Sequence, residues 1–202
     1  MKFIRSLLKP IASVAGFTMI ELLIVISILG ILAVAVLSAI NPIEQINRGR
    51  DTGSQSDAEQ LISAADRYNA FQGHYPWQAD PSADFNVDWT EIGSTAWTVT
   101  TDATCKVLDR LGSTATTAAG CTNSNEIKSS FTSRITAGSY NSLFVYNRGE
   151  AGDSTYVCFE PKSDAFAVKA TGRCDEEPAY GNLPPDFPAT NACGTTDYYC
   201  LP

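Results

Sequence analysis

The sequence predicts an α+β fold in which a long N-terminal helix packs on a small antiparallel β-sheet. Three features support this: an apolar run over residues 17–40, a second helical stretch with one apolar face, and three segments rich in aromatic and β-branched residues between 143 and 171. The 202 residues correspond to one domain with an attachment. A hydrophobic fraction of 44% excludes a disordered chain. The net charge of −8 argues against nucleic-acid binding, which requires an excess of Lys and Arg.

The N-terminus combines a basic segment with a membrane-length apolar run. Residues 1–16 carry Lys2, Arg5 and Lys9 and no acid, and residues 17–40 contain 19 apolar side chains in 24 positions. As a helix this run is about 36 Å long, at about 1.5 Å per residue, and a bilayer core is about 30 Å thick. A secretory signal peptide would have a shorter apolar region followed by its cleavage site. The run therefore predicts a single membrane span, with the basic end in the cytoplasm and the C-terminus outside.

Glu21 is the one ionisable residue within this span. A carboxylate at membrane depth costs a few kcal/mol, so a functional role is expected by default. Cleavage after Gly16 would place a new α-amino group on Phe17, about one helical turn from Glu21. That amine could pair with Glu21 of its own chain or with Glu21 of a neighbouring copy.

The order Gly16-Phe17-Thr18-Met19-Ile20-Glu21, followed by the apolar run, resembles the class III leader of type IV pilins and of secretion and competence pseudopilins. The resemblance implies cleavage after Gly16, N-methylation of Phe17 and a role for Glu21 in assembly. It also implies a pilin-like fold.

The resemblance implies several partners: a prepilin peptidase and methylase, a membrane assembly platform, membrane lipid before assembly, and copies of the chain itself in a helical filament. It places the chain in the inner (cytoplasmic) membrane before assembly and in an extracellular filament afterwards. Residues 68–76 also resemble the family, in which an aromatic residue, a Gly and an aromatic-Pro pair often end the long helix.

Residues 41–76 predict a stem and then an amphipathic helix. Pro42 predicts a break after the apolar run, whose only intrinsic weak point is Gly30. Many relatives carry a Pro inside that run. Gly49 and Gly53 weaken the stem, and a capping box at Ser56 predicts that the helix restarts there. Its apolar face comprises Ala58, Leu61, Ala65, Tyr68 and Phe71 or Gln72, and Gly73 ends it.

Residues 77–202 are expected to form the exported globular head. Strands are predicted at Leu143–Asn147, Thr155–Glu160 and Ala165–Thr171, joined by turns into a three-stranded meander over 143–171. The amphipathic helix would cover the meander's apolar face. The Pro-rich tail, residues 175–202, is expected to wrap the sheet edge without much regular structure.

Six cysteines, all beyond the membrane span, allow 15 pairings. Sequential pairing is the simplest hypothesis, and it gives Cys105–Cys121, Cys158–Cys174 and Cys193–Cys200. Disulfides would stabilise the loops and indicate an oxidising exterior.

The residue inventory argues against an enzyme and against a bound cofactor. His74, the single histidine, stands next to a Gly in a turn composition, and no nucleophile motif surrounds it. No zinc-ligand spacing occurs. Calcium could bind at the acidic stretches 80–88 or 175–177, but solvated acidic loops account for them more simply.

The predicted function is that of a structural subunit of a type IV pilus-like filament. The alternatives are a pseudopilin of a type II secretion or DNA-uptake system and, in another class, a monomeric membrane-anchored adhesin or binding module. The size of the six-cysteine head favours a pilin over a core pseudopilin. Fibre formation separates the filament hypotheses from the monomeric one.

Overall fold

The computed structural model describes residues 16–93, 97–99, 102–112, 121, 123–138, 141–175 and 183–202. These residues belong to two compact units, residues 1–42 and 43–202. The described part of the first unit contains helix α1 (Met19–Ala39). Its segment Met19–Ser38 has a mean hydropathy of 2.9 and is long and apolar enough to cross a membrane.

Helix α2 (Pro42–Gln72) is continuous over 31 residues, through both Gly49 and Gly53. The prediction that the helix restarts at Ser56 is therefore wrong, because Ser56 lies within the helix and its carbonyl accepts a bond from Gln60. Helix propensity is a weak constraint that tertiary contacts override. The contacts that do so here are made by Asp51, described below.

The apolar face of α2 packs on the sheet as predicted. Ala58, Leu61, Ala65 and Tyr68 are buried in the main core, whereas Phe71 is 80% exposed and does not continue the face. Gly73, with φ of +75°, ends the helix, and its N–H donates to the Asn69 carbonyl. That left-handed conformation favours glycine.

The main sheet has four antiparallel strands in the order β1-β4-β5-β6. They are β1 (Val87–Glu91), β4 (Leu143–Asn147), β5 (Tyr156–Phe159) and β6 (Tyr199–Leu201), and a separate hairpin comprises β2 (Thr98–Val99) and β3 (Asp102–Lys106). The remaining helices are α3 (Val107–Leu111), α4 (Ser129–Ile135), α5 (Asp164–Cys174) and α6 (Ala189–Ala192).

The core lies between the sheet and α2. Alternate β4 residues, Leu143 and Val145, share this core with α2. The predicted α+β fold is confirmed and is consistent with a pilin-like fold.

The predicted third strand, Ala165–Thr171, is wrong because this segment lies in helix α5. Ser163 caps the helix, with its side chain accepting from the Phe166 N–H, so the stretch before it starts a helix and is not a hairpin turn. Phe166 and Ala170, four residues apart, are the buried positions. The buried positions of this segment therefore follow the spacing of a helix, although Phe166 and Val168 are residue types that individually favour strands.

The strand next to β5 comes instead from the tail, as β6. The expected position at the sheet edge is correct, but the tail takes part in the sheet. Arg173 of α5 donates to the Cys200 carbonyl at 2.7 Å. A side chain thus satisfies a backbone acceptor of this edge strand, which limits pairing with other chains. Residues 176–182 lie outside the described part.

Two of the three predicted disulfides are wrong. Cys105–Cys121 is present, but Cys158 pairs with Cys200 and Cys174 with Cys193. The register of β5 and β6 places Cys158 opposite Cys200, with their Cα atoms 4.0 Å apart. Cys174 ends α5, and Cys193 follows α6. Because β6 returns to β5, pairing follows the sheet and not the order along the chain.

Asp51 ties α2 to the segment between β5 and α5. Its side chain is fully buried, and its carboxylate accepts bonds from the Lys162 N–H, the Ser163 N–H and the Ser163 hydroxyl at 2.6–3.0 Å. About two turns earlier on α2, Glu44 accepts from the Asp164 N–H. Bonds from Arg48 and from the α5 amides hold the pKa of Glu44 below its usual range. Asp51 thus holds the cap residue of α5 and the residue before it, and Glu44 satisfies the first amide of the helix.

Replacing Asp51 with Ala is expected to lower the free energy of unfolding by about 3 kcal/mol, because two backbone N–H groups and a hydroxyl lose their acceptor in a buried place. Denaturant unfolding of the detergent-extracted protein measures this. Asp66→Ala is the matched control, since Asp66 lies on α2 and is exposed; its effect should stay within about 0.5 kcal/mol. Equal stability of the two variants would contradict the role given to Asp51.

Peptide mapping without reduction tests the disulfides. Cleavage before every Asp separates all six cysteines, because an Asp stands between each consecutive pair. Fragment 153–163 should be linked to 197–202, and fragment 164–174 to 186–196. A link between fragments 153–163 and 164–174 would contradict the structure.

Candidate functional site

The start of α1 is organised by a reciprocal pair of contacts between Thr18 and Glu21. The Thr18 side chain accepts from the Glu21 N–H at 3.3 Å. The Glu21 carboxylate accepts from the Thr18 N–H at 2.8 Å and from the Thr18 hydroxyl at 2.7 Å, both at Oε2. This is a capping box, which satisfies two of the amides that every helix N-terminus leaves unpaired.

The capping box gives Glu21 local compensation for its position in an apolar helix. A carboxylate at membrane depth is costly without hydrogen bonds, and Thr18 provides two of them. These bonds come from neutral donors, so the negative charge itself has no counter-charge within them. Both Thr18 donors bind Oε2, so the carboxylate can still accept a cation through Oε1.

Gly16 and Phe17 lie directly before this cap, outside the helix. Phe17 is 83% exposed, and a Cβ added to Gly16 would meet no atom within 4 Å. Non-helical, exposed backbone is the form that a peptidase can bind. Cleavage between these residues would put the new amine one residue before the Thr18 N–H that Glu21 already binds.

The other polar groups of α1 are satisfied within the helix. The Ser27 hydroxyl donates to the Leu23 carbonyl and the Ser38 hydroxyl to the Ala35 carbonyl. Gly30 does not interrupt the helix. The interruption lies at Ile40 and Asn41, and Pro42 is the first residue of α2, a position where the missing N–H has no cost.

Thr18 was not singled out from the sequence, although a signal for it exists. Thr18-Met-Ile-Glu21 has the spacing of a capping box, with Thr at the cap and Glu three residues later. Asp51 was also missed, because no local pattern marks an acid whose partners lie 111 and 112 residues away.

Residues 11–37 match the family described as the prokaryotic N-terminal methylation motif. The match includes Gly16, Phe17 and Glu21 and extends through most of α1. Together with the apolar helix, it shows a class III prepilin leader. These features support a type IV pilin-like or pseudopilin-type subunit. Neither a curated protein nor a solved structure matches it significantly.

The leader implies processing by a prepilin peptidase and assembly into pilus-type filaments. Such motifs mark structural subunits. Within the described ranges, α1 is the one helix that could cross a membrane, which fits a single-pass, membrane-anchored pilin-like protein.

The remaining candidate residues of this pilin-like chain lie elsewhere, in the second unit. His74 contacts the Gln72 carbonyl through Nδ1 and Arg110 through Nε2, which fits a turn residue. Asp80 accepts from the Ser82 N–H and hydroxyl, and these bonds hold its pKa below the usual value. Within the described ranges no three His, Cys, Asp or Glu side chains are grouped to hold a metal ion. Glu176 and Glu177 lie outside those ranges, and calcium binding stays an untested expectation.

Gly16→Leu is expected to block leader removal, because a large side chain then occupies the cleavage position. The open space around Gly16 means that the substitution does not disturb the chain itself. Gel mobility and intact mass distinguish precursor from mature protein. Gly30→Leu, which also meets open space but lies within α1, is the control and should be processed normally. Mature-sized protein from Gly16→Leu would contradict the assignment.

Proposed function

We propose that the mature chain, starting at Phe17, is a structural pilin of a type IV pilus-like extracellular filament. The observation that carries this proposal is the position of Glu21. Its carboxylate is bonded to the amide next to the predicted new N-terminus, at the start of a helix with no other charge. An anchor alone needs no such acid, and the acid has a cost in a membrane.

The proposed topology follows from the distribution of charge and of cysteine. Lys2, Arg5 and Lys9 keep the leader in the cytoplasm by the positive-inside rule. The three disulfides all lie in the second unit and are suited to an oxidising exterior. The subunit is thus a single-pass inner-membrane protein before assembly, with its C-terminus outside.

Assembly would transfer α1 from lipid to a filament core formed by other copies. Its large apolar side chains are exposed in the single chain, so neighbouring α1 helices can bury them. Glu21 keeps its bonds to Thr18 and receives the charged Phe17 amine of a neighbouring copy, or of its own chain. Because the pairing is directional, it sets the axial register of a helix that otherwise presents uniform apolar surface. A prepilin peptidase with methylase activity and a membrane assembly platform complete the set of partners.

The exported head of this chain is larger than a subunit of a short secretion piston requires. Residues 43–202 form one compact unit with a four-stranded sheet and three disulfides. This favours a pilin over a pseudopilin of type II secretion or DNA uptake. Electron microscopy of sheared cell-surface material distinguishes the two, since a pilin gives long fibres.

Glu21→Ala and Glu21→Gln are expected to insert and to be processed normally, but to reduce fibre yield at least about tenfold. The Gln variant retains an acceptor for Thr18 and loses the charge, so it isolates the pairing with the amine. Fibre protein in sheared fractions, relative to total mature protein, measures the effect.

Ser27→Ala is the matched control, because Ser27 is also polar, lies on α1 and bonds within its own helix. It should assemble normally. Full fibre yield from Glu21→Gln would show that charge pairing has no part in assembly.

A further inference from the structure

A groove of about 810 Å³ runs along α2 in the second unit, beside the start of β4 and the segment after β5. Its volume lies within the range of sites for small ligands, about 300–1,000 Å³. Half-buried aromatic rings and amide and guanidinium groups line it. We propose that this groove binds a neutral oligosaccharide.

Ring contacts hold the two aromatic residues that line the groove, Phe144 and Tyr198. Trp89 stacks on Phe144 with ring centres 5.2 Å apart and planes at 14°. Tyr198 meets both rings edge-on, at 5.2 and 5.4 Å. Aromatic faces carry partial negative charge, and the C–H groups on one face of a sugar ring carry partial positive charge, so the two stack favourably.

The groove also offers amides of fixed orientation. Asn47 donates to the Lys162 carbonyl and Asn141 to the Glu160 carbonyl, each at 2.9 Å. An amide has two N–H groups and one carbonyl oxygen, so each retains capacity for sugar hydroxyls. Because backbone bonds already orient these amides, a ligand does not need to order them.

Ion pairs compensate four of the five charged side chains that line the groove. Asp57 is paired with Arg134, and Glu160 with Lys162 at 3.0 Å, so these four charges cancel in pairs. Arg50 is exposed and makes no ion pair within the described residues. A strongly anionic polymer would be repelled by the mature chain, because the net charge of −8 becomes more negative when Lys2, Arg5 and Lys9 are removed with the leader. A guanidinium without a counter-ion remains a donor for hydroxyl oxygens.

The same composition disfavours a second copy of the chain as the occupant. Centres of protein–protein interfaces are depleted in charged residues, whereas this groove has ion pairs and amides along its length. The open groove implies weak binding by one subunit. If the proposed function holds, repetition along a filament raises the avidity.

The test uses the full mature protein extracted in an amine-oxide detergent, because alkyl-glycoside detergents carry sugars. It does not depend on filament formation, so it can fail or succeed independently of the proposed function. Maltotriose and chitotriose are the neutral probes, and trigalacturonate is the acidic one. Saturation-transfer NMR detects sugar C–H groups that lie close to aromatic protons of the protein. Titration with each probe gives its Kd.

At least one neutral trisaccharide should bind, and trigalacturonate should bind more weakly. Tyr198→Leu and Arg50→Ala should each weaken binding about tenfold, and Arg67→Ala should not. Arg67 is the matched control because it is an exposed Arg of α2 that does not line this groove. Leu at 198 retains apolar packing, and Arg50 is exposed, so the Arg50 variant tests the groove even if the Tyr198 variant is unstable.

Absence of binding by both neutral probes would overturn the proposal. So would unchanged binding in the two groove variants, or preferential binding of trigalacturonate. Reduced fibre yield in these variants without any sugar binding would identify the groove as a contact between copies, which also overturns it.

Discussion

The arrangement of the second unit depends on a buried carboxylate, Asp51. The first half of α2 has little apolar surface to bury and contains Gly49 and Gly53, so neither propensity nor hydrophobic burial accounts for its helical state. Asp51 accounts for it by accepting three donors from Lys162 and Ser163. The same bonds position the start of α5, and α5 in turn places Cys174 for its disulfide with Cys193.

Glu21 uses the same chemistry for a different purpose. Asp51 is satisfied by distant parts of the chain and is fully enclosed, which makes it structural. In the part of the chain that the structure describes, Glu21 is bonded only to Thr18, three residues away, and it is exposed at the start of an apolar helix. A group with local bonds and a remaining charge is available to a partner. This difference supports the assignment of Glu21 to assembly and of Asp51 to folding.

The features that were predicted correctly from the sequence are those determined by residues close together along the chain. The apolar helix, the leader residues and the buried face of α2 at Ala58 and Leu61 follow from spacing or from a short motif. Errors arose where distant residues decide the outcome. Residues 165–171 contain strand-forming residues but are helical, because the Ser163 cap and the docking on Asp51 start a helix there. Cys158 pairs with Cys200 because the tail returns to β5, which no local signal indicates. Thr18 could have been found, since its capping-box spacing is local.

The most direct test of the account is the intact mass of the subunit in fibres sheared from the cell surface. The mass should be that of a chain that begins at Phe17, carries one methyl group on its amine and retains three disulfides. A fibre subunit that retains residues 1–16, or that begins at another residue, would contradict it. So would mature protein found only in the membrane fraction of cells that have a complete assembly machinery.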